Sequence, residues 1–110
     1  MKIAVATSNE KDVDHFGKAH KFLIYDFDGE NFTFIGYRDS KKIEGEKHQW
    51  QKSLNAIEDC EIVISSQAGL KGKLGLKNAG IKLVEDDGPI EEVLERYAKH
   101  YKFMKKPLNF

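Results

Sequence analysis

The chain has a single cysteine, Cys60, and that alone removes several chemistries. No intramolecular disulfide can form, nor a zinc site with two or more thiolates, nor an iron–sulfur cluster held by four thiolates of one chain. Net charge is also absent, because 18 Lys plus Arg offset 18 Asp plus Glu. No global field draws in nucleic acid or an anionic membrane, and neither is expected as a partner. Long apolar runs are missing too: stretches such as Ile3-Ala4-Val5-Ala6 fall far below the roughly 20 residues of a membrane-spanning helix. One lysine before that short run does not make the roughly 7–15-residue core of a signal peptide, so the expectation is a cytoplasmic protein.

What is present fits one compact unit. A length of 110 residues is near the commonest size of a single domain, and 40% apolar with 33% charged residues is too apolar for a disordered chain. One domain is expected over residues 1–101, with 102–110 as a loosely held tail. Local charge alternates in sign, with Lys71, Lys73, Lys77 and Lys82, then an acidic stretch from Glu85 to Glu95, then Lys99 to Lys106. These runs read as solvated helix faces.

Ile3–Ala6 has the continuous apolar character of a strand covered on both faces. Phe22–Phe27 and Phe32–Tyr37 are aromatic and β-branched runs around Asp28-Gly29, a strong hairpin signal that makes them antiparallel neighbours. Residues 39–47 lack apolar period and are expected as a loop. Trp50, Leu54 and Ile57 then mark a short amphipathic helix over about 48–58. Glu61–Ser65 is expected as a buried strand, Leu70–Asn78 as a helix capped by Gly80, and Ile81–Val84 as another strand. Gly88-Pro89 opens the last helix, whose apolar face is Ile90, Val93, Leu94, Tyr97, Ala98 and Tyr101. This order favours a three-layer α/β sandwich around a mostly parallel sheet with one antiparallel strand.

In such a sheet the strands beginning at Ile3, Ile62 and Ile81 end along one edge, and ligands bind where the strand order reverses. The polar loop SNEKDVDHFGKAH at positions 8–20 leaves the first strand at that place. Ser65 to Lys73 leads from a strand into a helix, where backbone N–H groups either bind an anion or simply make a tight turn; it is no Walker motif. Cys60 reads as a packed small side chain, and His20 and His100 as surface residues.

The sequence resembles the dinitrogenase iron–molybdenum cofactor biosynthesis family, which includes NifX-like proteins, the nitrogenase accessory factor core and the carboxyl-terminal domain of NifB. The likeness rests on MKIAVA at the start, His15-Phe16-Gly17-Lys18-Ala19 followed by FLIYD, EIVISSQAG at 61–69, NAGIKLVE at 78–85 and GPIEEVLE at 88–95, and it covers residues 1 to 98. It implies a ribonuclease H-like three-layer α/β/α fold with five strands in the order 3-2-1-4-5 and strand 2 antiparallel. It further implies an iron–sulfur or iron–molybdenum type cluster, with His15 as its metal ligand, Phe16 and Gly17 shaping the loop, and Ser65, Ser66, Gln67 and Gly69 offering hydrogen bonds. The expected role is non-enzymatic: a carrier or store that takes the cluster from a donor protein and hands it to an acceptor. His48 is the one histidine between the third strand and the first helix and is expected in solvent.

The alternative is a cofactor-free interaction or regulatory module on the same fold. An enzymatic role has little support, since no nucleophile–base pair stands at readable spacing. Ribonuclease chemistry would need clustered carboxylates, one on the first strand, and Ile3–Ala6 has none.

Overall fold

Alternation between the two faces of one central strand organises the molecule. In the computed structural model, which describes residues 1–43, 45–46 and 49–105, β1 (Lys2–Thr7) is buried from Ile3 to Thr7. Side chains one residue apart point to opposite faces. Ala4 and Ala6 therefore join a cluster with Phe16, Phe22, Ile57, Val63 and Leu76, while Ile3 and Val5 join another with Leu23, Phe27, Ile64, Ile90 and Val93. A core on each face of one sheet requires helices on both sides, the expected three-layer arrangement.

The hairpin forms as β2 (Lys21–Phe27) and β3 (Phe32–Asp39). Asp28 closes it, its Oδ1 accepting the N–H groups of Glu30 and Asn31 at 2.8 Å each, with Gly29 at φ +103°. β4 (Ile62–Ser65) and β5 (Lys82–Glu85) complete a sheet of order β3-β2-β1-β4-β5. β2 is antiparallel to both neighbours, and β1, β4 and β5 are mutually parallel. This is the five-strand order, with strand 2 antiparallel, that the family resemblance implies.

α1 (Trp50–Ala56) and α2 (Leu70–Asn78) cover one face, and α3 (Ile90–Lys105) covers the other. α1 is shorter at both ends than the expected helix, and His48 lies outside the described residues. α3 runs past Tyr101 to Lys105, so the beginning of the expected tail is helical. Lys102 and Lys105 stand in its last turn, where positive charge meets the negative helix end. The remainder of that tail, 106–110, also lies outside the described residues. Among the described residues no helix is long and apolar enough to cross a membrane.

Candidate functional site

The loop after β1 is built outward from Thr7. The buried Thr7 hydroxyl donates to Asp12 O at 2.7 Å and accepts Glu10 N–H at 3.0 Å, while Asn9 Oδ1 accepts the N–H groups of Lys11 and Asp12. These local bonds turn the chain back until Asp14 N–H reaches Ala6 O at 2.8 Å. Two further backbone bonds join this loop to the one after β4: Phe16 N–H to Gln67 O at 2.8 Å, and Ser66 N–H to Asp14 O at 3.0 Å. Loops some fifty residues apart in sequence thus form one unit at the point where the strand order reverses.

His15 sits on this unit, half-buried. Its N–H donates to Asp14 Oδ1 at 2.7 Å, and the Ser8 hydroxyl donates to Asp14 Oδ2 at 2.6 Å. Burial pushes the Asp14 carboxyl upward, but these two bonds outweigh it and hold the group below its ordinary range. His15 O accepts from Lys18 N–H at 3.2 Å and Ala19 N–H at 2.9 Å, closing a single turn. Phe16 points inward, fully buried, with its ring 6.0 Å from that of Phe22. One residue anchors the turn while its neighbour presents an imidazole.

That imidazole lines a cleft of about 650 Å³. His15, Phe16, Gly17 and Lys18 form one wall and Gln67 with Gly69 to Gly72 another; Gln49 and Trp50, at the start of α1, form the third. Of the residues expected at the site, His15, Phe16, Gly17, Gln67 and Gly69 meet here. Ser65 and Ser66 do not line the cleft. Ser65 is fully buried, its hydroxyl 3.4 Å from Gln67 O, and Ser66 gives its N–H to Asp14. Both shape the turn behind the wall.

Among the described residues, charge in the cleft has one sign: Lys18 and Lys71 line it beside His15, and no carboxylate does. α2 starts at its edge with Gly69 as N-cap, no side-chain cap and no acidic residue in the first turn. Its leading N–H groups thus keep the partial positive charge of a helix beginning.

Two residues, one lining the cleft and one behind its wall, escape the sequence patterns. Trp50 reads as one point of an amphipathic stripe. Lys42, in an apparently featureless loop, has its ammonium beneath the His15 turn, donating to Ser53 Oγ at 2.7 Å, to Phe16 O at 3.4 Å and to Ala19 O. Burial pushes its pKa down to about 8, against the pull of the Asp14 carboxylate. A usable signal did exist for α2: Gly69, Gly72 and Gly75 recur every third residue. A Cβ on Gly72 would stand 3.1 Å from the Phe16 ring, and one on Gly75 would stand 2.5 Å from the Trp50 ring.

The fold and the cleft define a small α/β domain with a cationic, imidazole-bearing pocket at its topological switch point. The chain belongs to the dinitrogenase iron–molybdenum cofactor family, whose model matches residues 1–100. It is 32% identical over 82 residues to the FeMo cofactor biosynthesis protein NifB of Chlorobaculum tepidum, covering 73% of this chain and 19% of that protein. It is 33% identical over 102 residues to NifB of Azotobacter vinelandii, covering 84% of this chain and 20% of that one. The chain therefore spans about a fifth of the length of these curated relatives. Among solved structures it resembles PH0822, with TM-score 0.75 and 21% identity over 91% of this chain and 92% of the other. It also resembles the apo form of the orange protein from Desulfovibrio gigas, with TM-score 0.73 and 20% identity over 91% and 88%. At such identities these two likenesses concern the fold.

Proposed function

We propose that the chain holds an iron–sulfur or molybdenum-containing cluster in this cleft as a carrier or store, taking it from a donor protein and releasing it to an acceptor. The observation that carries this reading is His15, fixed at a cleft walled by lysines and helix-start amides, with no carboxylate among the described residues that line it. Neutral imidazole ligates iron and molybdenum well, whereas lysines and amides ligate neither but donate hydrogen bonds to sulfide. Among the described residues no three His, Cys, Asp or Glu side chains gather. A cargo suited to these walls arrives preassembled with its own sulfides and takes one bond from the protein. Sparse ligation favours hand-over to a host that offers more ligands. Family membership supports the same reading, and the cleft volume falls within the roughly 300–1,000 Å³ of small-molecule sites.

The test is iron, molybdenum and acid-labile sulfide analysis after anaerobic preparation from metal-replete cells, beside His15→Ala. Wild type is expected to carry about one cluster per chain, and the variant to lose most of it. Trp50 is the only tryptophan and lines the cleft, so its emission should be quenched in the loaded protein and recover on chelation. Wild type that stays metal-free, even after reconstitution with iron and sulfide, would remove the proposal.

A further inference from the structure

Lys42 is hard to explain as a purely structural residue. An ammonium taken out of water is costly unless something needs it. Each carbonyl it meets has a hydroxyl within reach as well: Phe16 O accepts the Ser53 hydroxyl at 2.7 Å, and the Ser40 hydroxyl, with one proton to give, lies 2.8 Å from Ala19 O and 2.9 Å from His20 O. A methionine would fill similar space without burying a charge. Across the turn that Lys42 touches lies the cleft, lined by Lys18, Lys71 and His15.

We propose that Lys42 is a positioning residue and a half-buried positive charge for an anionic occupant of the cleft, an inference that rests on the cleft being the binding site argued above. By donating to Phe16 O and Ala19 O, the ammonium ties together the residue after His15 and the last residue of its turn. In a partly buried setting its field is less screened than that of a surface lysine. Among the described residues, the titratable groups on the elements around it are Asp14, His15, Lys18 and His20 of the loop, Asp39, Lys41 and Glu46 of its own segment, and Lys52 of α1, which pairs with Glu46 at 3.6 Å. Of these, Asp14 acts on the ammonium and favours its charged form.

Two pH dependences of opposite sign follow. The ammonium loses its charge as pH rises through about 8, so affinity for an anion falls there. An unfolded lysine stays protonated to about 10.4. Between the two values the unfolded chain holds more protons than the native one, so this residue's contribution to folding stability rises with pH. A lysine with only a packing role would not link anion affinity to the same titration.

The experiment measures molybdate and sulfate binding to the unloaded protein from pH 6.5 to 10, by calorimetry and by amide chemical shifts at Lys71 and Gly72. Wild type, Lys42→Met and Lys42→Arg are compared, with the Lys42 Nζ resonance titrated directly in wild type. Wild-type affinity is expected to fall about tenfold through pH 8, the change that about 1.4 kcal/mol of lost interaction produces. Lys42→Met should bind about tenfold more weakly at pH 7 with no inflection. Lys42→Arg should retain binding with no inflection, because guanidinium does not titrate in this range. Wild-type affinity and profile in Lys42→Met, or no binding of either anion to wild type, would overturn the inference. A protein that binds the oxyanions through Lys42 but never takes up a cluster would instead sink the carrier reading alone. Cluster loading indifferent to Lys42→Met would spare that reading and remove this one.

Discussion

Gly75→Ala is expected to destabilise the protein by about 1 kcal/mol although it replaces a poor helix former with the best one. Alanine in a helix interior gains about 1 kcal/mol over glycine. At this position, however, the added Cβ would lie 2.5 Å from Cζ3 of Trp50, with Cε3 and Cη2 at 3.3 and 3.4 Å. Either the indole or α2 must move, and overpacking of this kind costs about 1–3 kcal/mol. Because Trp50 forms a wall of the cleft, the shift reaches the site: its emission should move to the red and cluster retention should fall. Combining Gly75→Ala with Trp50→Phe removes the outer ring that the Cβ meets, and should recover much of the lost stability as a favourable coupling. Urea unfolding of the four proteins gives that coupling. A Gly75→Ala protein stabilised by the full helix-propensity gain, with unshifted emission, would show that α1 and α2 are not in close contact there.

The same contact shows which parts of the site could be read in advance. β1, the Asp28-Gly29 hairpin and the apolar face of α3 follow from local periodicity, because burial on one or both faces imposes a pattern on neighbouring residues. Strand order then placed the His15 loop and the Gln67–Gly69 loop at one edge. Ser65 illustrates the limit: the sequence puts it at the mouth, but it belongs to β4, and its place in the strand turns it into the core. For Trp50, an amphipathic stripe tells that the ring faces inward, not whether it meets core or cleft. Lys42 left no local trace, since its burial is created by Ser53 and by the carbonyls of a turn more than twenty residues away. α3 outran its stripe because a helix end depends on propensity and charge as well as on an apolar face.

Gly69→Asp is expected to separate stability from binding more sharply than any other single change. Gly69 is the N-cap of α2 at φ −69° and ψ 168°, an extended conformation that an N-capping aspartate adopts readily, and a Cβ there meets nothing within 4 Å. The carboxylate can accept first-turn N–H groups that now have no side-chain cap. Glycine is already a fair N-cap, so the gain is a few tenths of a kcal/mol, about 1–2 °C in Tm for a domain of this size. The same carboxylate puts negative charge beside Lys71 and takes up the amides that an anionic cluster would use. Cluster uptake should fall by tenfold or more. Gly69→Ser caps the helix without a charge, and it should match the stability gain while retaining most of the binding. Thermal melts and metal analysis of the two variants thus distinguish lost electrostatic attraction from a blocked entrance: equal losses would mean the amides or the space matter, and a loss confined to aspartate would mean the charge does. Full loading of Gly69→Asp would exclude the start of α2 from the site and leave His15 and the opposite wall to hold the cargo.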